Sequence, residues 1–407
     1  MDAPSRPSAA PAPRGTGLRV AVVTAFPPGR NSLNEFGFHL VRHLAVQDDV
    51  AEVVAVVDET DAGAPEPMAG VRFVPAWEFN SLATVPRVLR ALRRERPDAV
   101  IWNLQFASFG DRRIPGALGL LLPALARVLG LPNLVVLHNL ADNVDMEEAG
   151  FASSRLQAWV MRTAGRVLTR VLLRAQLVAV TIPRYVEQLR EGYGARNVLL
   201  APHGSFEEVT TPDFSPRPAP RQVMAFGKWG TYKRVEVLVD AYRLLRERGY
   251  DDLALVLAGT DSPNAAGYMA GIAEANADLP GLTMTGYVAE EDVPRIFGDA
   301  TVVAFPYTST TGSSGVLHQA GEYGRAVVLP RVGDLVDVIE EEGFTGEYFE
   351  PSDAESLADA LARVLDDPAH AEEIGRRNFV AATGIPMSEV VQWHLLHLRR
   401  LLPGGSP

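Results

Sequence analysis

Short, continuous runs of β-branched and apolar residues recur along this chain, each closed by a turn and most followed by a helical stretch. "LRVAVVTAF" (18–26), "VAEVVAVVD" (50–58), "DAVIWNLQ" (98–105), "LVVLHN" (134–139) and "LVAVTI" (177–182) form one series. This rhythm constrains the fold more than any other feature. Apolar strands alternating with helices bury both faces of a parallel sheet. The register restarts after residue 208 with "QVMAFGKW" (222–229), "LALVLAG" (253–259), "LTMTGYV" (282–288), "ATVVAFPY" (300–307) and "RAVVLP" (325–330). Between the two series lies "TTPDFSPRPAPR" (210–221), with four prolines in twelve residues, which reads as a linker. The expected fold class is α/β, two doubly wound Rossmann-like domains facing a central cleft. The first spans 18–209 and the second 222–385. Residues 1–17, rich in Pro, Ala and Ser without an apolar core, read as a disordered tail rather than a signal peptide. Ligands of such sheets bind beyond the carboxyl ends of the strands, so function is sought in the loops that follow them.

Composition narrows the classes. The chain has 407 residues, 47% hydrophobic and 22% charged, as expected of a globular protein with two domain-sized cores. A net charge of −12 argues against a nucleic-acid partner held by the whole surface. There is no cysteine, which excludes disulfides, thiolate catalysis and cysteine-ligated zinc and fits a cytoplasmic protein. The most apolar segment, "IPGALGLLLPALARVLGLP" (114–132), is too interrupted for a membrane span and reads as either a buried helix or a surface that meets lipid.

Two loops carry chemistry. After Phe305-Pro306, eight of the next nine residues are small or hydroxylated, and "VLHQAGEYG" then reads as a helix. A helix opening at Ser313, Ser314 and Gly315 offers unpaired amides and the positive end of its dipole, with Gly312 and Gly315 allowing close approach. Such a stretch is either an ordinary capped helix or an anion site. In the second loop, "FGKWGTYKR" (226–234), Lys228 and Lys233, with Arg234, sit past the end of a strand, where a diphosphate needs positive partners. A solvated basic turn is the alternative there.

On these residues the second half resembles the donor domain of GT-B glycosyltransferases of the large retaining family 4. Gly227-Lys228 with Lys233 stands for that family's Gly-Arg and a lysine five positions on. "AGTDSP" (258–263), containing Gly259, matches its next turn, and "GYVAEEDVP" (286–294) its base-pocket border, with Tyr287 and Val288. "GFTGEYFEPSDAESLADALARVLDDP" (343–368) is similar to its late segment, "APHGSF" (201–206) to its interdomain one, and "PPGRNSLNEFG" takes the place of its first loop. The resemblance implies a nucleotide-diphosphate sugar of the UDP or GDP type as substrate and no obligatory metal or other cofactor. It implies transfer with retention to a sugar, lipid-linked or small-molecule acceptor, and a C-terminal helix (386–402) crossing back to the first domain, with Trp393 in its core. Lys228, Lys233 and the amides of Ser313–Val316 would hold the diphosphate. His138 would stand near the donor sugar, as a catalytic candidate that could equally be structural. Gly29, Asn31 and Asn139 would lie on the acceptor side, with Asp142 a further candidate there; His203 reads as structural.

One departure stands out. The family usually carries glutamates eight positions apart where this chain aligns Thr311 and Gln319. Glutamine still hydrogen-bonds ribose hydroxyls, but as a neutral group, and threonine is too short to replace a glutamate at the sugar. The expected function is therefore a retaining glycosyltransferase with a modified sugar-reading edge. A non-catalytic nucleotide or sugar binder, or a nucleotide-sugar epimerase on the same fold, stays open. Arginines at 155, 162, 166, 170 and 174 fall largely on one helix face, either solvated or resting on the anionic inner face of a membrane.

Overall fold

The computed structural model describes residues 17–29, 31, 33–140, 155–206, 210–230, 232–262, 265–309 and 314–402. Strands Leu18–Val23 (β1), Val50–Asp58 (β2), Val71–Trp77 (β3), Ala99–Leu104 (β4), Asn133–Leu137 (β5), Leu177–Val180 (β6) and Val198–Leu200 (β7) form one sheet in the order β3-β2-β1-β4-β5-β6-β7. Strands Arg221–Trp229 (β8), Leu253–Asp261 (β9), Leu282–Gly286 (β10), Val302–Ala304 (β11), Ala326–Pro330 (β12) and Glu347–Phe349 (β13) form another, ordered β10-β9-β8-β11-β12-β13. The recorded strand pairings within each are parallel. Both orders reverse next to their first strand, which is the doubly wound arrangement. The central strands carry the core, with Val20–Val23 and Ala99–Trp102 buried in the first sheet and Val302–Val303 and Val327–Leu329 in the second.

Helices Asn34–Ala45 (α1), Thr84–Glu95 (α2), Arg113–Gly119 (α3), Leu122–Val128 (α4), Arg155–Leu172 (α5) and Pro183–Tyr193 (α6) alternate with the first set of strands. Glu236–Glu247 (α7), Tyr268–Ala275 (α8), Val293–Asp299 (α9), Gly315–Glu322 (α10), Gly333–Glu342 (α11) and Ala354–Asp366 (α12) alternate with the second, and Pro368–Thr383 (α13) and Met387–Arg399 (α14) follow. By compactness the chain divides into the residues through Asn103 with Ala107–Leu134 and those from Leu395 on, and a second unit of Leu104–Phe106 with Val135–His394.

Details differ from the sequence reading in ways that have physical causes. The apolar segment 114–132 breaks into α3 and α4. It buries Pro115, Leu122 and Ala126 while exposing Ile114 and Val128, so it is neither wholly core nor wholly surface. No helix among the described residues is long and apolar enough to cross a membrane. Trp393, expected in the core, is 42% exposed and donates its indole N–H to the Leu200 carbonyl at 3.0 Å.

Candidate functional site

The reversal of the second sheet lies between β8 and β11, and the loops leaving these two strands build the site together. β8 runs in register with β9 so that Gly227 faces Gly259. A Cβ on Gly259, whose φ is +121°, would stand 1.9 Å from the Gly227 carbonyl oxygen. Only glycine lets these backbones approach so closely. Beyond Trp229 the loop is zipped onto the segment after β11. The Thr308 amide donates to the Tyr232 carbonyl at 2.8 Å and the Arg234 amide to that of Pro306 at 3.0 Å, with Lys233 and Tyr307 bridged antiparallel. Both lysines are therefore presented by a loop clamped at its two ends.

The two lysines lie within electrostatic reach of each other. The Lys233 ammonium lies 4.6 Å from the centre of the buried Tyr307 ring, a cation–π contact, and packs beside Gly227. Partial enclosure, and then the nearby Lys233 charge, push the Lys228 ammonium below its ordinary range. Lys228 nonetheless remains exposed by surface area, so a ligand can reach its ammonium. Two like charges held together call for an anionic partner.

α10 supplies the other half. Ser314 is its N-cap, the side chain accepting from the Leu317 amide at 3.4 Å. The amides of the first turn, at Gly315 and Val316, have no carbonyl one turn back inside the helix. Among the described residues, a Cβ at Gly315 would meet no heavy atom within 4 Å. Gln319 is buried one turn further on. Thr311, Gly312 and Ser313 lie outside the described residues. Tyr287 is half-exposed after β10, next to Val288. The Arg234 guanidinium is turned to Glu236, 3.2 Å away, so it is occupied within its own loop.

His138 follows β5 and is buried, its amide donating to the Leu104 carbonyl at 3.0 Å. Burial, reinforced by His394, pushes its imidazole down to about 3, so the ring is neutral at physiological pH. It stands edge-on to His203, with 6.5 Å between ring centres. His203, also buried, meets the Gly204 carbonyl through Nδ1 at 3.1 Å. Asn139 accepts from the Phe106 amide through Oδ1 at 3.2 Å. Asp142 lies outside the described residues.

The loop after β1 belongs to the first unit and is organised by a residue that pattern reading missed. Asp58, at the end of β2, accepts from the Phe26 amide at 3.0 Å and from the Asn31 side-chain amide at 2.6 Å. A Cβ on Gly29 would come within 2.8 Å of the Phe26 carbonyl and 2.9 Å of the Asp58 carboxylate. Burial pushes the Asp58 carboxyl up, against these hydrogen bonds. The signal for it was available, because an aspartate ending an otherwise apolar strand is rarely idle.

Two family models match the chain, "Glycosyl transferase 4-like domain" over residues 6–204 and "Glycosyl transferases group 1" over 220–367. Sulfoquinovosyl transferase SQD2 of Arabidopsis thaliana is 26% identical over 83% of this chain, which spans 64% of that protein's length. Among solved structures, sucrose-phosphate synthase from Thermosynechococcus elongatus superimposes with a TM-score of 0.73 at 19% identity, covering 94% of this chain and 99% of its own. HepE of Anabaena, solved with UDP and glucose, reaches 0.67 at 16% identity, over 94% and 99%. At such identities the structural likeness establishes the two Rossmann-like sheets as a shared fold. With both family models placed end to end along it, the chain belongs to the group 1 glycosyltransferases.

Proposed function

We propose that this protein is a retaining glycosyltransferase that moves a sugar from a nucleotide-diphosphate sugar to an acceptor hydroxyl. The observation that carries the reading is the pair Lys228 and Lys233 on a loop clamped to the segment after β11, the segment that leads into α10 at the sheet's reversal. In this reading the two ammonium groups and the amides of Gly315 and Val316 take the charge that develops on the departing diphosphate, with no obligatory metal. Stabilising charge where it appears in the transition state, rather than on the ground state, is what accelerates the step. Neutral His138 serves as a hydrogen-bonding partner near the sugar, and Gly29, Asn31 and Asn139 shape the acceptor side. That HepE was solved with UDP and glucose supports a nucleotide-sugar substrate.

Gln319 in place of a carboxylate supports a ribose contact made by a neutral amide, and with Thr311 it favours a donor whose sugar is not read by a glutamate. The exposed arginines and Trp159 of α5 support peripheral contact with an anionic membrane face. The test is incubation with UDP- and GDP-sugars and a panel of sugar and lipid acceptors, reading the product's anomeric proton by NMR. A product with the donor's configuration is expected. An inverted product contradicts the mechanism, and nucleotide binding without turnover across the panel would establish a non-catalytic binder instead.

A further inference from the structure

α10 also carries a histidine that the diphosphate reading does not use. His318 is buried, and its two ring nitrogens are both engaged. Nδ1 lies 3.0 Å from the Ser314 carbonyl oxygen and Nε2 lies 2.7 Å from a Glu342 carboxylate oxygen. A peptide carbonyl only accepts hydrogen bonds, so Nδ1 bears a hydrogen, and a carboxylate likewise calls for a hydrogen on Nε2. Both nitrogens donating makes the ring an imidazolium. Ser314 is the cap of α10, and its carbonyl also accepts from the amides of Leu317 at 2.9 Å and His318 at 3.2 Å. The ring is fixed by stacking on His203, with 4.6 Å between centres, and by the edge of Phe344 at 5.3 Å.

We propose that His318 is a positioning residue for the glycosyl-transfer site: as an imidazolium held by Glu342, it fixes the capping turn of α10 and places a positive charge beneath the diphosphate. The charged groups around it are of both signs. Glu342 and Glu341 end α11, Glu322 lies one turn along α10, neighbouring His203 comes from the segment after β7, and Arg376 and Arg377 project from α13. Burial alone would push the imidazole down; the Glu342 carboxylate and the Ser314 carbonyl, with Glu322, outweigh it and hold it above its ordinary range. The pair borders a cavity of about 770 Å³ lined by Pro202, Ile385 and the α13 arginines, so protons have a path to it. As pH rises through the His318 pKa, one nitrogen loses its hydrogen. One of the two bonds is then lost together with the charge, and diphosphate binding weakens.

This inference rests on the diphosphate reading of the site, and the test separates them. UDP and GDP are titrated calorimetrically into the wild-type protein, Glu342→Gln and His318→Gln at about pH 5.5, 7 and 8.5. Affinities are read as ratios to wild type at each pH, which cancels titration of the nucleotide itself. In parallel, nitrogen-15 spectra of labelled histidines, assigned by the signal missing in His318→Gln, report the ring's protons. Expected are a doubly protonated His318 at pH 7 in the wild type and a neutral one in Glu342→Gln. That variant's affinity should be about fivefold weaker at pH 7, the range of a charge at a helix terminus, and nearer to wild type at pH 5.5 than at pH 7. His318→Gln should be weaker at every pH up to 7, without recovery in acid. A neutral His318 in the wild type, or wild-type affinity in both variants, overturns the inference while leaving the diphosphate site intact. Failure of the wild type to bind either nucleotide removes the diphosphate reading, and this inference with it.

Discussion

His138 and His318 are both buried, and their surroundings move them in opposite directions. His138, lowered to about 3, stays neutral in the folded protein while an unfolded chain would take up a proton near 6.5. A depressed base of this kind destabilises the folded state as pH falls below 6.5, by about 1.4 kcal/mol per pH unit until the folded pKa is reached. His318, raised, behaves in the opposite sense, its contribution being complete in acid and lost as pH rises through its folded pKa. His138→Gln should therefore flatten the acid limb of urea-midpoint-against-pH measurements; an unchanged limb would show that His138 is not held neutral. The histidine at the end of β5 could be picked out from the sequence because strand ends at a sheet's carboxyl edge are where ligands bind. Neither its protonation state nor the His318–Glu342 pair could be, since partners 24 residues apart meet only through packing of α10 against the end of α11.

Among the elements, the strands leading into the β8 and β11 loops were legible, and three of the four edge strands were not. Lysines and small residues past strand ends could be located from the apolar runs before them, while their chemistry stayed open between an anion site and an ordinary turn. β10, also an edge, was read from its apolar run, whereas β3, β7 and β13 escaped because their runs are interrupted or short. β3 even carries Pro75, tolerable where an amide can go unpaired, and β7 and β13 have only three residues each. The close approach of β8 and β9 gives a strong test at this scale. Gly259→Ala would drive a methyl into the Gly227 carbonyl at a φ that other residues rarely adopt, costing on the order of 2 kcal/mol or more. The melting temperature should fall by several degrees, and an unchanged one would mean that the strands are not packed as described.

α5 is the other element with a measurable consequence. Trp159 is 64% exposed, Val160 46% and Val167 53%, beside exposed Arg162, Arg166 and Arg170. That pattern suits the interface of an anionic bilayer, where each basic residue contributes about 1 kcal/mol. Co-sedimentation with phosphatidylglycerol vesicles should exceed that with phosphatidylcholine and drop at least about tenfold in a Trp159→Ala/Arg162→Glu variant. Equal sedimentation with both lipids, or no effect of the substitutions, would leave α5 a solvated face.

In the whole molecule, two parallel sheets of matching order follow from one repeated rhythm, which is why the fold was readable before any side chain was placed. The loops of the second sheet's candidate site could be located too, because they keep their motif spacing: Lys228 to Lys233, Gly259, and the run into α10. The first loop was less so, since Asp58 organises it from 27 residues beyond Asn31. Arg234 shows the limit of spacing as a guide, being placed correctly in the chain and turned to Glu236 in space. The claim on which the function stands is that the β8 loop and α10 hold a diphosphate. Calorimetric titration of UDP, GDP, ADP and dTDP into the wild type and Lys228→Ala tests it most directly. The account predicts a clear preference for one nucleotide, weakened about tenfold or more by the substitution through loss of a charge-assisted contact. Equal affinity in a folded Lys228→Ala protein would contradict it.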